Sequence, residues 1–282
     1  MIDSHQHFWK LQRNDYGWLS EDMGVLYQDY MPEDLTPLLK QYQISGTVVV
    51  QAAPAYEETL FLLSLYDRYD WICGVVGWLD LSSPSFPAQL ASLLEHPGIV
   101  GLRPMLQDIE EPDWILQDQV TENVNCLHQH HLPLDLLINQ KHIPSILTLL
   151  KALPELKAVV DHMAKPNISG GELDGWKQDM KSLSEYPNVW CKVSGFMTEA
   201  EPYTWKTKDF EPYIGHIVET FGTSRLLFGS DWPVCLAAGS YQDTIEIIRE
   251  NLQSTVSPAE MDQIFSENAR QFYNLKERKS VL

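Results

Sequence analysis

Two histidines one residue apart open the chain, in Met1-Ile-Asp-Ser-His5-Gln-His7-Phe8. Along a strand side chains alternate faces, so His5 and His7 point the same way and Gln6 turns away. Ile2 and the aromatic pair Phe8-Trp9 favour a buried strand over surface histidines at a frayed terminus. Two imidazoles on one buried face are costly without a chemical task. Imidazoles, carboxylates and cations gathered at one place are the usual equipment for moving protons and stabilising developing charge. Further on, apolar runs end in Gln51, Trp78, Arg103, Asp161-His162, Lys192 with Ser194, and Asp231.

These residues need elements to bring them together. Continuous β-branched or apolar runs predict strands at the N-terminus and at 46–51, 72–79, 99–104, 133–138, 159–162, 189–195 and 226–231. Helical patterns follow at 32–42, 57–69, 87–95, 119–131, 142–153, 176–186, 210–221 and 241–252. Strand–helix alternation predicts a parallel sheet, and eight such units over about 250 residues predict a closed (β/α)8 barrel of the TIM type. An open doubly wound sheet would want a glycine-rich phosphate loop after the first strand, and His5-Gln-His-Phe-Trp9 is unlike one. Barrels of this kind carry their chemistry at the C-terminal strand ends, where the residues named above fall. The aromatic 10–31 stretch, too long for an ordinary connection, is read as an active-site loop. A helical extension at 257–282 completes a single domain of 1–282.

The totals exclude other classes. The 282 residues are 44% hydrophobic, and 20 basic against 39 acidic residues give a net charge of −19. That field repels nucleic acid and anionic membranes, so neither is expected as a partner. No apolar run approaches the ~18 residues of a membrane span. Cys73, Cys126, Cys191 and Cys235 form no CxxC pair, as expected of reduced thiols in a cytoplasmic protein. With the initiator methionine set against a strand, no signal peptide is expected, and the sequon Asn167-Ile-Ser169 is then expected to be chance.

His5-Gln-His7, Asp161-His-Met-Ala-Lys-Pro166, Cys191-Lys-Val-Ser-Gly195 and Phe228-Gly-Ser-Asp-Trp-Pro233 together resemble the amidohydrolase superfamily. Within it they look like the family-2 branch, and most like its sugar-lactone hydrolases of the fuconolactonase kind. The resemblance implies that Asp231 activates the attacking water while His5, His7 and His162 surround the scissile carbonyl. It implies that Arg103 and Lys192 bind substrate oxygens. Gln51, Trp78 and Trp232 are further candidates for binding substrate, the two tryptophans and the Tyr16–Tyr30 loop as walls. Family-2 decarboxylases also end their fifth strand in a metal-binding histidine. Here that end reads Leu136-Leu-Ile-Asn139-Gln140, leaving His5, His7 and Asp231 for a metal such as Zn²⁺, plus His162 if it reaches. The expectation is therefore a lactonase that requires no cofactor, acting on a small aldonolactone.

Plainer readings stay beside these. His162 can be a core imidazole, Asp231 a helix cap, Lys192 a structural partner of Asp231, and Arg103 a pin for the fourth-strand loop. Asp161 alternates with His162 and is expected to face the helices; His128, His130 and His131 read as helix-end residues. The rival functions are a metal-dependent decarboxylase or C–C hydrolase on the same barrel, and a sugar-acid binder without turnover.

Overall fold

Apolar β-branched runs form the strands, and the amphipathic stretches between them form helices. The computed structural model describes residues 1–278. Eight parallel strands stand in sequence order around one sheet: β1 (Ile2–Gln6), β2 (Gly46–Val50), β3 (Ile72–Gly77), β4 (Ile99–Leu102), β5 (Leu134–Leu136), β6 (Ala158–Val160), β7 (Val189–Val193) and β8 (Leu226–Phe228). All their residues are buried, because helices cover one face and side chains fill the other. The helices are α1 (Pro32–Gln41), α2 (Tyr56–Arg68), α3 (Phe86–Leu93), α4 (Asp118–Gln129), α5 (Ile143–Ala152), α6 (Asp174–Ser184), α7 (Glu211–Phe221) and α8 (Tyr241–Leu252). Local chemistry sets their ends. Pro32 opens α1, and Ser240 and Asp243 cap α8 reciprocally through each other's backbone N–H.

The seam that closes the barrel is tied at residues of interest. Asp231 N–H donates to the His5 carbonyl (2.8 Å), and His7 N–H donates to the Trp232 carbonyl (2.7 Å). Backbone pairing thus fixes Asp231 beside His5 and His7. An irregularity in the β1–β2 register between Asp3 and Gln6 lets Ile2 and His5 both face inward despite their odd spacing.

Below that level the barrel is filled by Ile2, Val48, Val50, Val76, Val159 and Leu227. The C-terminal segment plugs this end. After α9 (Pro258–Asp262), α10 (Asn268–Tyr273) brings Phe272 and Tyr273 into the same cluster. The segment expected at 257–282 is thus part of the barrel's packing, with helix ending at Tyr273 and 279–282 outside the described residues. At the other end, the 10–31 segment is an ordered excursion pinched by an antiparallel Trp9–Tyr30 bridge. Its Trp18 indole donates to the Ala52 carbonyl (2.7 Å), tying it to the loop after β2. Among the described residues no helix is long and apolar enough to cross a membrane.

Candidate active site

Three imidazoles converge on one carboxylate oxygen. Asp231 Oδ1 lies 3.2 Å from His7 Nε2, 3.7 Å from His5 Nε2 and 3.9 Å from His162 Nε2. The outer ring nitrogens hold the rings in place. His7 Nδ1–H donates to the Val50 carbonyl (2.8 Å), and His162 Nδ1 meets Ser194 Oγ (2.9 Å). Gly195 allows this closeness: a Cβ there would stand 2.4 Å from His162 Nδ1, and its φ of +59° suits glycine. Asp231 (φ 56°) and His162 (φ 54°) are themselves left-handed, a backbone cost that tends to collect at functional sites.

Beneath the histidines lies a buried ionic layer. Lys192 Nζ reaches Asp135 Oδ2 (2.5 Å), Asp161 Oδ1 (3.0 Å) and His5 Nδ1 (3.1 Å). Arg103 Nη1 lies 3.2 Å from both Asp161 Oδ2 and His5 Nε2, and the Tyr273 hydroxyl donates to Asp135 (2.7 Å). Burial, and next the Lys192 charge, push His5 well below its ordinary pKa; burial takes His162 down to about 4. Burial also opposes ionisation of Asp231, but His162, the His7 hydrogen bond and His5 outweigh it and hold the carboxyl well below its usual range. A neutral-pH site therefore presents an ionised Asp231 to neutral His5 and His162.

Above these groups opens a cavity of about 450 Å³, the size of a small-ligand site. His7, Arg103, His162 and Asp231 line its floor; Trp18, Met23 and Leu26 supply an apolar wall from the 10–31 segment. A carboxylate and imidazoles at the C-terminal strand ends, under a partly apolar roof, can activate water against a carbonyl. The amidohydrolase family model matches residues 2–275. The chain belongs to the amidohydrolase family. It is 38% identical over 277 residues to an L-fucono-1,5-lactonase of Burkholderia ambifaria, covering 97% of this chain and 95% of that one. A second L-fucono-1,5-lactonase, from Burkholderia multivorans, is 32% identical over 98% of this chain and 96% of that one. The crystal structure of a Burkholderia multivorans amidohydrolase with bound zinc superposes with a TM-score of 0.91 at 32% identity, over 98% of this chain and 99% of that one.

In this amidohydrolase the structure gathers His5, His7, His162, Asp231 and Arg103 as expected of the sequence, and moves others. Asp161 is a correction: it faces inward, fully buried against Arg103 and Lys192. Strand alternation fails there because β6 ends at Val160 and the chain turns left-handed from His162. Lys192, expected at substrate oxygens, is fully buried under His5, and its acidic partners are Asp135 and Asp161. Gln51 is also fully buried, its amide donating to the Arg103 carbonyl (2.8 Å). Trp232 packs edge-on against Phe8 and Tyr30, away from the cavity. Trp78 lines a separate cleft beyond Met105 and Asp108. Sequence reasoning passed over Asp135, whose place inside the apolar run Leu134-Asp-Leu-Leu-Ile138 was the available signal. It also assigned nothing to Lys165 and Glu199, which line the cavity.

The donor set fits a divalent cation. His5, His162 and Asp231 each offer one ligand atom within 4.8 Å of the others. His7 Nε2, with Nδ1–H committed to Val50, presents a lone pair to Asp231 Oδ1, and that contact is satisfied by a proton or a cation between them. Asp161 Oδ1, already paired with Lys192 Nζ, lies 3.5 Å from His5 Nδ1 and is placed to accept its proton if Nε2 bound a metal.

Proposed function

We propose that this amidohydrolase opens small sugar-acid lactones by adding water across the ring ester. The carrying observation is the Asp231 carboxylate, with three imidazoles around its Oδ1, on the floor of a cavity of about 450 Å³. Asp231 removes a proton from water as the oxygen attacks the carbonyl. The ring C–O bond then breaks, and the proton passes from Asp231 to the departing ring oxygen, giving the open hydroxy acid. The histidines that are protonated on Nε2, with Arg103, offer N–H groups to the carbonyl oxygen as it gains charge, about 3–4 kcal/mol for a well-placed donor. Neutral rings suit this work, because a donor that stays in place costs no proton at the moment of reaction. The relatives named L-fucono-1,5-lactonase make L-fucono-1,5-lactone the first substrate to assay. Four unpaired thiols suit a reducing compartment, and we place the enzyme in the cytoplasm.

A divalent metal, if bound, would be held by His5, His7, His162 and Asp231 and would polarise the carbonyl and acidify water. We infer that the reaction does not require one. Beyond β5 stand Ile138 and Asn139, and the nearest histidine, His142, caps Asn139 N–H (3.2 Å). Arg103 also puts a fixed positive charge 3.2 Å from His5 Nε2, where a cation would sit. Extended chelation should therefore leave most lactonase turnover. Complete loss with EDTA, restored by stoichiometric Zn²⁺, would replace this reading with metal-dependent hydrolysis. Zn²⁺-dependent release of CO₂ from aromatic acids, without lactone opening, would favour a decarboxylase. Tight sugar-acid binding without turnover would make the protein a binder.

A further inference from the structure

Four consecutive residues that are not glycine, His162, Met163, Ala164 and Lys165, have φ values of 54°, 53°, 57° and 52°. A left-handed turn of L-residues costs roughly 1–2 kcal/mol per residue, so it persists only where the surroundings insist on it. Here Met163 and Ala164 are fully buried, and the Met163 carbonyl is held by the Trp176 indole (2.8 Å). The turn closes with Lys165 N–H donating to the His162 carbonyl (2.9 Å). Its consequence is that His162 and Lys165, three apart, both reach the cavity while the residues between them are core.

Opposite Lys165 stands Glu199, also on the cavity wall, its Oε1 3.9 Å from Lys165 Nζ. That is too long for a hydrogen bond. Neither charged group has another hydrogen-bond partner among the described residues, and each side chain is only about a quarter exposed, at 26% and 23%. The cavity wall therefore carries a donor and an acceptor side by side, both with valences to fill. Adjacent ring hydroxyls match them: one donates to the carboxylate while its neighbour accepts from the ammonium.

We propose that Lys165 and Glu199 form a diol clamp that sets which hydroxylated lactones this enzyme accepts. It rests on the lactonase reading and adds to it the residues that read two neighbouring hydroxyls. A site built to hydrogen-bond a hydroxyl rejects an analogue lacking it far more strongly than an apolar site does. The test pairs enzyme with substrate changes. Wild type, Lys165→Met and Glu199→Gln are assayed on a hexono-1,5-lactone and its mono-deoxy analogues, with thermal unfolding as a check on folding. At two neighbouring carbons, deoxygenation and substitution should each lower kcat/KM about 100-fold or more, and together cost little beyond the larger of the two. At other carbons the losses should multiply. Lys165→Arg should restore much of the preference. Losses that multiply at every carbon, in an enzyme that still opens lactones, overturn the clamp alone. A wild type that opens no lactone removes the lactonase reading, and the clamp with it.

Discussion

Asp231 is held by its neighbours in a state it would not choose by burial alone. Its backbone is pinned to His5 across the barrel seam, and its Oδ1 is shared by three rings. Asparagine keeps the shape and most hydrogen bonds but cannot take a proton from water. Asp231→Asn should therefore fold normally and lose kcat by several orders of magnitude with little change in KM, as expected when a group acts only in the transition state. More than about a tenth of wild-type turnover remaining would show that another group is the base. At this scale much was legible in the sequence, because strand alternation alone puts His5 and His7 on one face. Lys192 was misread for a physical reason. A strand-end position says that a side chain points inward, not how far up the barrel it sits, and this ammonium stops at Asp135 below the cavity.

At the scale of elements, loops position as much as strands do. The strands were legible from their β-branched runs, yet several end two or three residues earlier than expected, at Leu102, Leu136, Val160, Val193 and Phe228. The residues beyond are where the chain leaves the ladder, and there the two-residue period no longer predicts direction. That is why the inward turn of Asp161 and the reach of Lys165 could not be read. The loop after β7 shows how narrow the tolerance is. Gly195 sits against His162, and a Cβ there would also stand 3.1 Å from Asp231 Oδ2. Gly195→Ala adds one methyl and forces an unfavourable φ of +59°. The barrel should survive with a modest loss of Tm, while kcat/KM falls at least about 100-fold, since a 1 Å misplacement can cost that much. Activity within a few-fold of wild type would mean that the position of His162 is not critical.

For the molecule as a whole, the question is how an acidic protein tolerates buried carboxyls. Net charge of −19 grows more repulsive as pH rises, but much of it lies on the surface, where salt screens it. Glu58 is different. In the first turn of α2 it is fully buried, accepting the Ala52 and Ala53 N–H groups beneath the loop that Trp18 also grips. Burial raises its pKa to about 8, against the pull of those two amides and of Arg103. The sign follows from linkage. Below its ordinary value of 4.5 the carboxyl is protonated in both states and contributes its full share of stability. Between there and about 8 the folded state keeps a proton that the unfolded chain releases, so stability falls as pH rises through this window. The slope is at most about 1.4 kcal/mol per pH unit, and high salt does not remove it. Other buried groups titrate here too, Asp135 among them, so the informative quantity is the difference from a variant. Denaturant unfolding of wild type and Glu58→Gln from pH 5 to 9 in 0.5 M NaCl should show the wild type losing stability more steeply up to about pH 8. Above that the two curves should run parallel. Equal slopes throughout would mean that the Ala52 and Ala53 amides keep Glu58 ionised in the folded protein.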